Sequence, residues 1–89
     1  AVACADLLGT GNDQIVVGWR AMRSPNAPVG IKLYTPTKPD GSEWQTDTID
    51  DNQMACEDLK IADLNGDGKL DIIASGRRSK NVIIYWNRR

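Results

Sequence analysis

A short segment near the start of the chain returns 57 residues later. Ala5-Asp6-Leu7-Leu8-Gly9-Thr10-Gly11 stands over Ala62-Asp63-Leu64-Asn65-Gly66-Asp67-Gly68, with Ala, Asp, Leu, Gly and Gly matching in place. Ile15-Val16 then stands over Ile72-Ile73, and residues 29–34 resemble residues 81–85 at a separation of 51. The six-residue difference falls in Met22-Arg23-Ser24-Pro25-Asn26-Ala27-Pro28, which reads as a longer hairpin loop. Loops tolerate such insertions, so a length change confined to one is what a structural repeat should show. Repeat units bury their faces against neighbouring units, which restricts the chain to stacked architectures.

The local signals are those of strands. Residues 14–19 and 71–75 are short, rich in β-branched side chains and bounded by Gly, Asn and Asp. Residues 31–34 and 82–86 have the same character, and residues 43–49 alternate weakly after the turn-forming Pro39-Asp40-Gly41-Ser42. Short strands at 2–5 and 59–62 precede the two Gly-rich segments. No stretch keeps a helical period, and all four prolines fall between the expected strands. The order predicts an all-β chain with a four-stranded antiparallel unit over residues 1–58. A second unit over 59–89 lacks a counterpart of its fourth strand, which leaves residues 82–86 as an exposed edge.

Between the second unit's first two strands lies Asp63-Leu64-Asn65-Gly66-Asp67-Gly68-Lys69-Leu70-Asp71. Calcium takes about 6–8 oxygen ligands, and a short loop offers them when alternate residues point inward. Asp63, Asn65, Asp67 and Asp71 stand at odd positions of the loop, and Lys69, at another, can offer its backbone carbonyl. Gly66 and Gly68 allow the positive φ angles that wrap a backbone around an ion. Three carboxylates suit an affinity on the order of 10⁻⁴–10⁻³ M, the range of extracellular modules. An EF-hand would need a bidentate Glu at the twelfth position, where Ala74 stands, so that motif is excluded. The first copy has Leu8, Thr10 and Gln14 where the second has Asn65, Asp67 and Asp71, and only Asp6 keeps its carboxylate. A metal-free turn is expected there, with Asp13 as a second carboxylate only if the loop takes another register.

Residues 59–75 resemble the FG-GAP/VCBS family of β-propeller repeats, marked by a strand, a D-x-N-G-D-G-x-x-D loop and an apolar strand. Residues 59–86 match well, residues 2–34 as a degenerate copy, and residues 35–58 only as strand and turn. The resemblance implies propeller blades of four antiparallel strands, about two per chain, assembling into a larger propeller. It implies calcium as a structural ion, an extracellular or periplasmic setting and no catalytic residues.

Composition narrows the chemistry. There is no histidine, which removes the Ser-His-Asp arrangement and histidine zinc sites. Two cysteines make no disulfide scaffold. Cys4 stands where the second copy has Ile61, which predicts a buried free thiol. The formal net charge of −1 offers no bulk field for nucleic acid or an anionic membrane. No apolar run reaches the roughly 18 residues of a membrane-spanning helix. The acidic Asp47, Asp50, Asp51, Glu57 and Asp58 and the basic Arg77, Arg78, Lys80, Arg88 and Arg89 read as solvated rims.

Two blades satisfy one mutual interface and leave two outer faces bare, so a cyclic homo-oligomer through blade faces is the expected partnership. The bare faces are expected to draw on Val2, Cys4, Ile15, Val17, Ile31, Leu33, Leu59, Ile61, Ile72, Ala74, Val82 and Ile84. The functional expectation is a non-enzymatic binding and structural module that presents loops to a protein or glycan. Trp19, Trp44 and Trp86 are the candidates to stack on sugars, Trp19 and Trp86 being the better placed for exposure at strand ends. Two alternatives stand beside it. One is an excised or engineered propeller fragment whose only activity is assembly; the other is part of a secreted enzyme using the rim carboxylates.

Overall fold

The computed structural model describes residues 1–19, 29–77 and 79–88. Seven strands follow one another: β1 (Val2–Ala5), β2 (Gln14–Trp19), β3 (Gly30–Pro36), β4 (Trp44–Asp51), β5 (Asp58–Ala62), β6 (Asp71–Gly76) and β7 (Asn81–Tyr85). They form two antiparallel sheets, ordered β1-β2-β3-β4 and β5-β6-β7. The chain is all-β, with no helix among the described residues. All seven strands fall within two residues of their expected bounds at both ends. β3 begins one residue early and runs on to Pro36, because β4 pairs with it along its whole length. The expected hairpin loop from Met22 to Pro28 lies outside the described residues, as do Arg78 and Arg89.

The two sheets pair in one register. Ala5 lies opposite Gln14 as Ala62 lies opposite Asp71, and Val2 opposite Val17 as Leu59 opposite Ala74. Ile15 lies opposite Tyr34 as Ile72 opposite Tyr85, and Val16 opposite Leu33 as Ile73 opposite Ile84. Each correspondence uses the separations of 57 and 51 found in the sequence. Opposed residues of an antiparallel pair share a face, so equivalent residues in the two sheets point to equivalent sides.

The core lies between the sheets. Sheet 1 contributes Val16, Ile31 and Leu33, and sheet 2 contributes Leu59, Ile72 and Ala74. The sheets meet through opposite sides: the Val16 side of sheet 1 packs on the side of sheet 2 whose sheet 1 equivalent carries Ile15. Gly18 allows a close approach, since a Cβ there would stand 2.4 Å from Cys56 Sγ. The connection between the sheets is part of this core. Met54, Ala55 and Cys56 are buried, held by Cys56 N–H to the Trp19 carbonyl (3.1 Å) and Ala55 N–H to Ser79 Oγ (3.1 Å). Asp50, buried at the end of β4, accepts the amides of Gln53 (2.9 Å) and Met54 (3.1 Å) and, across the sheets, the Tyr85 hydroxyl.

Two expectations are corrected. Cys4 is exposed and Cys56 is the buried thiol. The equivalence of Cys4 with Ile61 is real in register, but Ile61 faces sheet 1 whereas the matching side of sheet 1 faces outward. For the same reason Ile31, Leu33, Leu59, Ile61, Ile72 and Ala74 pack into the interior and not on a bare face.

Candidate metal centre

The loop between β5 and β6 is wound around Asp63. Its Oδ1 accepts the amides of Gly66 (2.9 Å) and Asp67 (3.2 Å), and its Oδ2 accepts that of Gly68 (2.9 Å). Gly66 and Gly68 have φ of 76° and 81°, the left-handed region the winding needs. Asn65 Oδ1 accepts the Asp67 amide (3.3 Å) and Asp67 Oδ1 accepts the Lys69 amide (2.9 Å). Asp71 opens β6 and is buried; its Oδ2 accepts the Leu64 amide (3.1 Å) and its Oδ1 the Asn87 amide (2.8 Å).

These bonds bring one carboxylate oxygen each from Asp63, Asp67 and Asp71 within 4.8 Å of one another. Oxygens that share one calcium at about 2.3–2.6 Å can stand no farther apart than twice that distance, roughly 4.6–5.2 Å. The three carboxylates meet this condition. Asp63, Asn65 and Asp67 are exposed, and Asp71 supplies the buried wall. Lys69, half-buried, has its amide directed to Asp67.

The loop between β1 and β2 has the same winding without the same charge. Asp6 Oδ1 accepts the Thr10 amide (2.9 Å) and Oδ2 the Gly11 amide (2.8 Å), and Gly9 and Gly11 have φ of 70° and 91°. These donated bonds, Gly11 first and then Thr10, hold the Asp6 carboxyl below the usual carboxylate range. Gln14 stands where the second loop has Asp71, and it is fully buried. Its Oε1 accepts the Leu7 (2.6 Å) and Leu8 (3.0 Å) amides, and the first of these matches the Leu64 bond to Asp71. Its Nε2 donates to Thr10 Oγ1 (3.2 Å) and to the Asn12 carbonyl (2.9 Å). The equivalents of those two acceptors are the Asp67 side chain and the Lys69 carbonyl. The first loop thus turns a neutral N–H donor on the acceptors whose counterparts in the second loop are candidate oxygen ligands.

Sequence reasoning placed all five candidate ligands on one loop but missed two residues. Gln14 read only as a lost ligand; its position opposite Ala5, where Asp71 lies opposite Ala62, was the available signal. Asn87 had none. Besides its bond to Asp71, it donates from Nδ2 to the Leu7 carbonyl (2.6 Å) and so ties the two loops together. Beside it an apolar cleft of about 160 Å³ is lined by Leu7, Leu8, Leu70 and Trp86 among others.

The three tryptophans are not brought together. Trp44, opposite Pro36, and Trp86, just after β7, lie at the loop end of the sheets; Trp19, opposite Gly30, lies at the other. Trp44 and Trp86 are exposed, whereas Trp19 is half-buried under Lys32, whose Nζ stands 5.6 Å from the ring centroid. Exposure at the rim therefore falls to Trp44 in place of Trp19, because Trp44 is held over its own turn by Nε1 to the Gly41 carbonyl (2.9 Å). Of the acidic stretch, Asp50 is committed to Tyr85 and the chain connection. Asp47, Asp51, Glu57 and Asp58 are exposed.

Fold and loop together define a two-sheet all-β chain with one three-carboxylate turn. Comparison with protein-family models, curated proteins and solved structures found no match to this chain.

Proposed function

We propose that this chain is a non-enzymatic, calcium-stabilised β-propeller repeat module. On this reading sheet 1 and sheet 2 are successive blades, the second lacking its outer strand, and the parent protein works outside the cytoplasm. The observation that carries the reading is the convergence of Asp63, Asp67 and Asp71 to within 4.8 Å on a loop whose other copy has an amide donor in place of the third carboxylate. Three like charges this close repel one another, and a divalent cation removes that cost while pinning β5 to β6. Asp63, Asp67 and Asp71 would hold it through carboxylate oxygens, with Asn65 and the Lys69 carbonyl completing the oxygen set.

The module's activity is assembly and the presentation of rim loops. Trp44 and Trp86, exposed at the loop end, suit the apolar faces of a glycan or a protein ligand. Calcium titration followed by amide NMR tests the metal assignment. Shifts should saturate in residues 63–71 and be much smaller in residues 6–14, where the Asn87 bond to the Leu7 carbonyl connects the loops. Equal response of both loops, or of neither, would sink the assignment.

A further inference from the structure

The interface between the two sheets is a template for the contact of this chain with a second copy of itself. This rests on the repeat-module reading above and specifies the partner and the surface. Inside the chain, the side of sheet 1 that carries Val16, Ile31 and Leu33 packs on the side of sheet 2 that carries Leu59, Ile72 and Ala74. The register makes the remaining two sides their equivalents. Sheet 2 turns outward Ile73, Val82 and Ile84, which match Val16, Ile31 and Leu33. Sheet 1 turns outward Val2, Ile15 and Val17, which match Leu59, Ile72 and Ala74.

Exposure follows the same division. Ile31 is 0% exposed and its equivalent Val82 is 68%; Leu33 is 8% and Ile84 is 41%; Leu59 is 5% and Val2 is 66%. In these three pairs an apolar side chain is buried where the opposite face is present and exposed where it is not, while Ile15, Val17 and Ile73 are half-buried. The face that sheet 2 lacks is the one that sheet 1 shows to solvent.

We infer that the outward side of sheet 2, with Ile73, Val82 and Ile84, docks the outward side of sheet 1 of a second copy, with Val2, Ile15 and Val17, continuing the internal packing. The contact is heterologous, so each copy keeps one free face until a ring closes. Cys4, exposed between Val2 and β2 on that side, reports its coverage.

The test uses the full chain and two substitutions at the most exposed positions, Val2→Lys and Val82→Lys, where folding has least to lose. Sedimentation is followed from micromolar to near-millimolar concentration in calcium, with thiol labelling of Cys4 and the melting temperature recorded on the same samples. The parent should sediment as a multiple of the 9.8 kDa chain and label more slowly as concentration rises. Each Lys variant alone should self-associate more weakly by on the order of tenfold or more. Mixed in equal amounts, the two variants should recover a dimer, because each retains the face the other has lost. A monomeric parent, or a parent oligomer whose variants are not rescued by mixing, overturns the inference. A monomeric parent that still melts higher in calcium overturns the docking alone and leaves the metal reading standing. A stacked, mixing-rescued parent with no calcium response supports the docking and removes the metal.

Discussion

Replacing Gln14 by glutamate changes one atom that matters. The side chains are nearly the same size, and the Oε1 bonds from the Leu7 and Leu8 amides can persist. The second oxygen, however, would replace Nε2 and face the Asn12 carbonyl at 2.9 Å and Thr10 Oγ1 at 3.2 Å. The Thr10 hydroxyl can turn to donate; the Asn12 carbonyl cannot. Each lost hydrogen bond is worth about 1 kcal/mol, and a carboxylate set against an unpaired acceptor costs about 1–3 kcal/mol more. The sum is roughly 2–4 kcal/mol, or a fall of roughly 8–32 °C in Tm for a chain of this length.

The pH dependence of that loss has a fixed sign. Burial beside an acceptor and Asp6 raises the introduced carboxyl's folded-state pKa above its unfolded value of about 4.3. The deficit relative to the parent is therefore full above the folded pKa. It shrinks as the pH falls through that value, where the protonated acid regains a donor. Millimolar calcium should also return part of the loss, because the variant loop then has two carboxylates about an oxygen-lined turn. Thermal melts at neutral pH and near pH 4, in chelator and in calcium, check each arm. A variant that melts with the parent in chelator at neutral pH would refute the idea that the Gln14 amide holds the first loop together.

In the second loop, Asp67→Asn should lower stability in calcium and leave it unchanged or slightly raised in chelator. With calcium at ten times the parent's Kd and a tenfold loss of affinity, linkage falls from about 1.4 to about 0.4 kcal/mol. That difference of about 1 kcal/mol corresponds to roughly 4–8 °C in Tm, read by melts in both buffers. Tyr85→Phe removes the hydroxyl that Asp50 accepts across the sheets and should cost about 1.5–3 kcal/mol with the calcium response intact. Chemical denaturation with and without calcium checks it. The Asp6 carboxyl, held low by the Gly11 and Thr10 amides, contributes stability above its unfolded pKa. That contribution is lost as the pH falls through the lower folded value. An NMR titration should place the Asp6 midpoint below the ordinary carboxylate range and show the Gly11 amide shifting with it.

Much of the fold was legible because its signals are local. β2 and β6 are runs of β-branched residues closed by Gly, Asn or Asp, and those side chains disfavour other backbones. The glycines of both loops announced their positive φ angles, since few other residues adopt them. The separations of 57 and 51 even carried the strand register, because pairing follows the turns at either end. Less legible was the connection of residues 52–57. It reads as polar and loop-like, yet it buries Met54, Ala55 and Cys56 through bonds to Trp19 and to Ser79. Those partners are distant in sequence and leave no local pattern.

By itself the sequence determined seven strands, two equivalent units and an oxygen-rich turn in only one of them. Periodicity, β-branching and glycine placement act within a few residues of each position. Which side of each sheet faces inward was decided by tertiary structure alone. Both sides of β2 carry apolar side chains, Val16 on one and Ile15 and Val17 on the other, so alternation could not say whether Val16 or Val17 would be covered. The packing of one sheet on the other settled it, burying Val16 and leaving Val17 outward. That choice exposed Cys4, assigned Val2 and Val82 to the bare faces, and brought Asn87 across to join the two loops.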